Sequence, residues 1–253
     1  HMVASILPLT LKDATVRKGG KTIIGPMSET IDPTGFTIFM GPNGSGKTTL
    51  LRLMHGLEHP RGGSVTWQLP AAQARTRQAF VFQTPVMMRR TVVENIAYPL
   101  RVRGEAKNRT LAQAAKWAEI IGLGNALEQN AEVLSGGEKQ KLAVARALIV
   151  QPEVLFLDEP TANLDGKATR EIEGILLAAQ ADGVRILMRA VLRVTSFFYI
   201  KDRCTSVQRR RHFSTHQKRR NPNHFYQETS SNEIYFLPHG SCFFNGLQHR
   251  RSG

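Results

Sequence analysis

Eight consecutive residues, Gly41-Pro42-Asn43-Gly44-Ser45-Gly46-Lys47-Thr48, carry the clearest chemistry in the chain. Four residues separate a glycine from a Gly-Lys-Thr run, the spacing of a loop that cradles phosphate. Glycines let the backbone curl so that successive N–H groups face phosphate oxygens. A helix that follows directly adds the positive end of its dipole at the same point. Lys47 can then bridge the β- and γ-phosphates, and the Thr48 hydroxyl can hold Mg²⁺. A Gly-rich turn that matches by chance is the competing reading. The context speaks against it, because the apolar run Gly35–Met40 reads as a buried strand before the loop and Thr48–Gly56 as a helix after it.

A second constellation is Val154-Leu155-Phe156-Leu157-Asp158-Glu159, an apolar strand ending in two carboxylates. At the carboxyl end of a parallel strand they would face the crevice in which such sheets bind ligands. Asp158 suits a Mg²⁺ shell, and Glu159 can orient and deprotonate an attacking water. Strands often end in acidic turns, so the pair gains its meaning from the phosphate loop upstream. A third is Leu134-Ser135-Gly136-Gly137-Glu138, which opens a helix. Ser135 as N-cap with Glu138 three residues on reads as a capping box, and paired glycines beside the cap expose backbone N–H groups to a second anion.

The elements that must position these groups are legible in outline. Leu9–Val16 and Lys21–Ile24 alternate as two strands around the Lys18-Gly19-Gly20 turn, and Gly62–Trp67 and Ala79–Gln83 read as further strands. Helical patterning runs from Thr91 to Gln129, clearest in Leu111–Ile121, and again over Ser135–Val150 and Gly166–Ala179, with Val184–Met188 strand-like. Strands alternating with helices imply an α/β fold with a mainly parallel sheet, a small N-terminal antiparallel β subdomain and an inserted α-helical subdomain at about 84–135. At 253 residues with 41% hydrophobic content, the chain can bury one substantial core plus a small subdomain. No run approaches a bilayer-spanning length, no secretion signal opens the chain, and His1-Met2 reads as a cloning scar. Both cysteines, Cys204 and Cys242, lie late in the chain, so the body needs no disulfide framework and fits a reducing compartment.

Taken together and in order, Gly41–Thr48, Gln83, Leu134–Glu138 and the run Leu155–Asp165 resemble the nucleotide-binding subunits of ABC transporters. The resemblance covers residues 3–188 and implies the P-loop NTPase core. It also implies a head-to-tail dimer, either a homodimer or a pairing with a second ATP-binding subunit. ATP would be sandwiched between Gly41, Pro42, Asn43, Gly44, Ser45, Gly46, Lys47, Thr48 and Thr49 of one subunit and Ser135-Gly136-Gly137 of the other, which explains two anion sites in one chain. Gln83 matches the family's glutamine that touches Mg²⁺ and the lytic water, and Asp165 matches an aspartate lining the dimer interface. Without the family, Gln83 is a polar residue ending a strand and Asp165 a helix cap before Gly166. The implied catalytic set is Glu159, Gln83 and Lys47, the metal set Thr48, Gln83 and Asp158, and the cofactors ATP and Mg²⁺. The implied partner is a separate transmembrane permease subunit, with a solute-binding protein at the level of the system, at the cytoplasmic face of the membrane. The stretch Phe82–Glu94 is mildly similar to importers of oxyanions such as tungstate or molybdate.

Two departures stand out. Where the family places an adenine-stacking aromatic this chain has Val16-Arg17-Lys18, leaving an arginine to meet the base by cation–π contact. Where the family has a histidine that contacts the γ-phosphate, this chain reads Arg189-Ala190-Val191-Leu192, with no group to replace it before His212. Net charge is also uneven: residues 1–188 hold 22 Lys/Arg against 17 Asp/Glu, and residues 189–253 hold 12 against 3. The basic excess that would suggest nucleic acid therefore sits mostly in the tail. That tail reads as a solvated basic extension, as a nucleic-acid or acidic-lipid segment, or, our preferred reading, as a frameshift product. Codons allowed for Val194–Asp202, taken one base earlier, permit Asp-Glu-Phe-Phe-Leu-His-Lys-Gly, similar to the family's last strand. The same shift permits a stop near Asn232-Glu233. The expected function is an ATP-hydrolysing transport subunit of impaired activity. The competing classes are an ATP-binding dimerisation module without turnover and a soluble ABC ATPase acting on nucleic acid. Against the last, no long coiled coil separates the phosphate loop from Ser135, and the chain holds one cassette.

Overall fold

The computed structural model describes residues 4–41 and 43–190, together with two short strands at 205–206 and 233–236. Readings that fall on Pro42, on the two cysteines, on His212 and on the rest of the tail lie outside the described residues.

Strands β1 (Leu9–Lys18) and β2 (Lys21–Ile31) form an antiparallel pair closed by Gly19-Gly20, and β4 (Gly62–Trp67) adds to the other edge of β1. This three-stranded sheet is the antiparallel subdomain the alternation implied, with β2 seven residues longer than the Lys21–Ile24 reading. A second, parallel sheet has the order β5-β6-β7-β3-β9-β8. Its members are β3 (Phe36–Met40), β5 (Gln78–Val81), β6 (Val154–Asp158), β7 (Arg185–Arg189), β8 (Thr205–Ser206) and β9 (Glu233–Phe236). The two tail strands were not foreseen from the fading periodicity; β9 runs parallel along β3 with Thr37 opposite Glu233.

Strands buried on both faces should read as continuous apolar runs, and β3 and β6 are buried at every position. Their alternate side chains enter different cores. Phe39, Phe156 and Leu187 pack on one face with the antiparallel sheet and with α1 (Lys47–His55). Ile38, Leu155, Leu157, Ile186 and Met188 pack on the other, against α5 (Gly136–Leu148) and α6 (Gly166–Ala181). A third core belongs to the inserted helices α3 (Val92–Val102) and α4 (Lys107–Ile120) with the inner face of α5. The short α2 (Ala71–Thr76) connects β4 to β5.

Candidate nucleotide-binding site

The phosphate loop leaves β3 and enters α1 at Gly46, which occupies the N-cap position with a φ of 88°. A side chain is excluded there twice over. The conformation is left-handed, and a Cβ would stand 2.7 Å from the Ile24 side chain and 3.0 Å from the Ile23 carbonyl. No side chain caps α1 and no acid lies in its first turn. The start of such a helix suits a ligand anion, through its dipole and its N–H groups. Lys47 is 2% exposed, and its Nζ donates to the Gly41 carbonyl at 2.6 Å and to Ser45 Oγ at 3.2 Å. Burial holds the ammonium below its ordinary pKa and the Arg189 guanidinium adds to this, while Glu159 and Asp158 pull the other way.

β6 delivers its two carboxylates beside this loop. Thr48 Oγ1 donates to Asp158 Oδ1 at 3.1 Å, so the first acid and the last loop residue meet. Glu159 follows with a φ of 50°, a left-handed conformation in a residue with a Cβ. Such positions cost about 1–3 kcal/mol and concentrate at functional sites. Burial raises the Glu159 carboxyl above the usual carboxylate range, with Asp158 adding to it and Arg189 and Lys47 opposing.

The residue that completes this cluster is one the sequence did not single out. β6 and β7 are parallel neighbours with Asp158 level with Arg189. Arg189 Nη1 donates to Asp158 Oδ1 at 2.8 Å and to Thr48 Oγ1 at 3.0 Å. Its Nη2 lies 3.0 Å from Glu159 Oε1, an ion pair without the alignment of a hydrogen bond. The main chain adds a contact from the Glu159 N–H to the Arg189 carbonyl at 3.2 Å. Arg189–Leu192 was read as offering no replacement for the histidine, and the contacts of Arg189 to Thr48, Asp158 and Glu159 were not foreseen. No local signal marked it, because the arginine meets the carboxylates only through the register of β6 against β7.

Ser135, Gly136, Gly137 and Asp165 are gathered elsewhere, in a groove of ≈ 1060 Å³ between the starts of α5 and α6 that no described residue of the phosphate loop lines. Ser135 caps α5 in a full capping box with Glu138, and Asp165 caps α6 by accepting from the Ala168 N–H at 2.7 Å. Gln83 stands exposed two residues past the end of β5, which stops at Val81 rather than at Gln83 as read from the sequence. The segment after it is anchored by residues the sequence reading missed. Buried Asn95 bonds Met88, Arg90 and Thr91, and Arg146 Nη2 donates to the Val86 carbonyl.

Residues 24–162 match the ABC transporter family. The chain belongs to that family. Among the relatives of this ABC-family chain, the Fe(3+) ions import ATP-binding protein FbpC of Brucella suis biovar 1 (strain 1330) is 38% identical over 171 residues. That match covers 65% of this chain and 48% of the relative. The chain thus spans about half the length of the Fe(3+) relatives it matches. The tungstate uptake system ATP-binding protein TupC of Peptoclostridium acidaminophilum is 36% identical over 168 residues, covering 66% of this chain and 78% of the relative. Among solved structures, a dimeric ATP-binding cassette in a post-hydrolysis state with ADP and Pi superposes with a TM-score of 0.64 at 27% identity, over 72% of this chain and 87% of that one. A nucleotide-free cassette of an ABC transporter has a TM-score of 0.62 at 24% identity, over 72% and 80%, and supports the fold alone. The P-loop NTPase core inferred from the motifs is the fold observed.

The Mg²⁺ assigned to Thr48, Gln83 and Asp158 by resemblance can be tested on the donors themselves. Thr48 Oγ1 and Asp158 Oδ1 are hard oxygens 3.1 Å apart. An octahedral ion with bonds of about 2.0–2.1 Å places adjacent ligands roughly 3 Å apart, so the pair alone suits it. Arg189 Nη1 is nevertheless within hydrogen-bond distance of both oxygens. The seated guanidinium and the ion do not fit together.

Proposed function

We propose that this chain is the ATP-binding subunit of a membrane transporter, acting as a head-to-tail dimer beside a separate permease. The observation that carries the reading is the gathering of buried Lys47, Asp158 and Glu159 with half-buried Thr48 at the uncapped start of α1. Loop N–H groups and Lys47 would hold the β- and γ-phosphates, and Glu159, its proton affinity raised by burial, would orient and deprotonate the attacking water. Ser135-Gly136-Gly137 and Asp165 share a groove of their own, which supports their serving a nucleotide held by a second subunit. No described helix is long and apolar enough to cross a membrane, in keeping with transport through another polypeptide.

Import is the direction suggested by the names of the Fe(3+) and tungstate relatives, and an oxyanion is the substrate class we assign. A solute-binding protein would then deliver that cargo, and the chain would work peripherally at the cytoplasmic face. The seated Arg189 and the absent histidine favour weak turnover, so an ATP-binding dimerisation module is the second reading. Affinity purification from source membranes, paired with ATP turnover of the recovered complex, tests both. Recovery of a polytopic membrane protein supports the transport reading. Recovery of the chain without one, in a sample that binds ATP, overturns it.

A further inference from the structure

Within the proposed reading of an ATP site, the charges of the cluster balance without any metal. Lys47 and Arg189 contribute two positive charges, Asp158 and Glu159 two negative, and these residues lie within one buried network. The Arg189 side chain is 13% exposed. Its Nη1 makes the two oxygen contacts, to Thr48 and Asp158, that a divalent ion would make. It is tied further by its own backbone, through strand pairing to Asp158 and the Glu159 N–H bond.

We propose that Arg189 is a built-in cation that stands in for Mg²⁺ between Thr48 and Asp158, so that this chain binds nucleotide phosphates with little dependence on divalent metal. A guanidinium does this chemically because it is permanently charged and presents several N–H donors in a plane. It can hold Asp158 and Thr48 through Nη1 while another donor of the same fork turns toward a β- or γ-phosphate oxygen. The arrangement differs from a metal in one respect: it brings a single charge and no exchangeable ligand positions. ATP can then meet Lys47 and the guanidinium without first acquiring a divalent ion.

The test is ATP affinity of the purified full chain by calorimetry, in saturating Mg²⁺ and in EDTA, for the parent and for Arg189→Met and Arg189→Lys. The parent should differ by less than about threefold between the two conditions. Arg189→Met, which frees both oxygens, should bind at least about tenfold more tightly with Mg²⁺ than without, the scale of one charge-assisted contact. Direct Mn²⁺ binding by electron paramagnetic resonance in the presence of ATP should be weak in the parent and gained in Arg189→Met. Arg189→Lys, which keeps a charge but loses the fork, should fall between them and guards against a variant that fails to fold. A parent with tenfold or greater Mg²⁺ dependence, or with tight Mn²⁺, overturns the proposal while leaving the ATP-site reading intact. Absence of ATP binding in both conditions overturns both.

Discussion

Lys47 is held by two short-range acceptors of its own loop, so its ammonium is already aimed where phosphate oxygens would lie. Lys47→Ala should weaken ATP binding by about 100-fold or more, since contacts to charged groups contribute about 1.5–3 kcal/mol each. Titration calorimetry reads this directly, and unchanged affinity would sink the phosphate-loop assignment. Glu159→Gln removes the base but keeps the shape. ATP binding should persist and an ATP-bound dimer should accumulate on gel filtration, whereas parental turnover in that variant would remove Glu159 from the chemistry. A third residue speaks to stability rather than function. His55 lies edge-on to Phe80 and Phe156, and burial lowers its pKa to about 4, with Arg75 adding to the shift. The unfolded chain therefore binds the extra proton first, and stability present above about pH 6.5 is lost as pH falls toward 4. Between pH 7 and 5 the parent should lose about 2 kcal/mol more than His55→Phe in urea melts. Lys47, Asp158 and Glu159 were legible as chemistry because their types and spacing are restrictive. Arg189 was not, because an arginine at a strand end acquires its partners only through the register of two strands.

The same contrast between local signal and tertiary partner runs through the elements. α5 begins where Ser135 and Glu138 said it would, since a capping box is written in four adjacent residues. α2 escaped notice because Ala71–Thr76 is six residues with one buried side chain, too short for an apolar period. β5 stops at Val81, short of the Gln83 end read from the sequence, and leaves Gln83 exposed. The end of β7 is the element on which activity should turn. Its last residue aims at the carboxylates of β6, and a histidine is missing from the positions that follow. A chain carrying a Thr-His-Asp segment after Met188 should hydrolyse ATP about 10²–10³ times faster than the parent, the cost of one preorganised transition-state donor. Steady-state phosphate release from dimerisation-competent samples measures it, and equal rates would show that the strand end does not limit turnover.

At the scale of the whole molecule, three cores are stitched together by the parallel sheet, whose two faces divide the side chains of β3, β6 and β7 between the first two. β3 is the strand from which the phosphate loop springs, and its partners come late in the chain. Phe36 pairs with Ile186 on one side, and Thr37 with Glu233 on the other. Thr37 and Glu233 are 196 positions apart. At synthesis rates of about 5–20 residues per second, that strand waits roughly 10–40 s on the ribosome before both edges can be covered. Pairings so distant along the chain are slow to close and expose apolar strands meanwhile. The loop that grips phosphate is therefore made long before the last strand that secures it, and a nascent chain halted before β9 would carry β3 as a free edge for a chaperone or another chain to pair with.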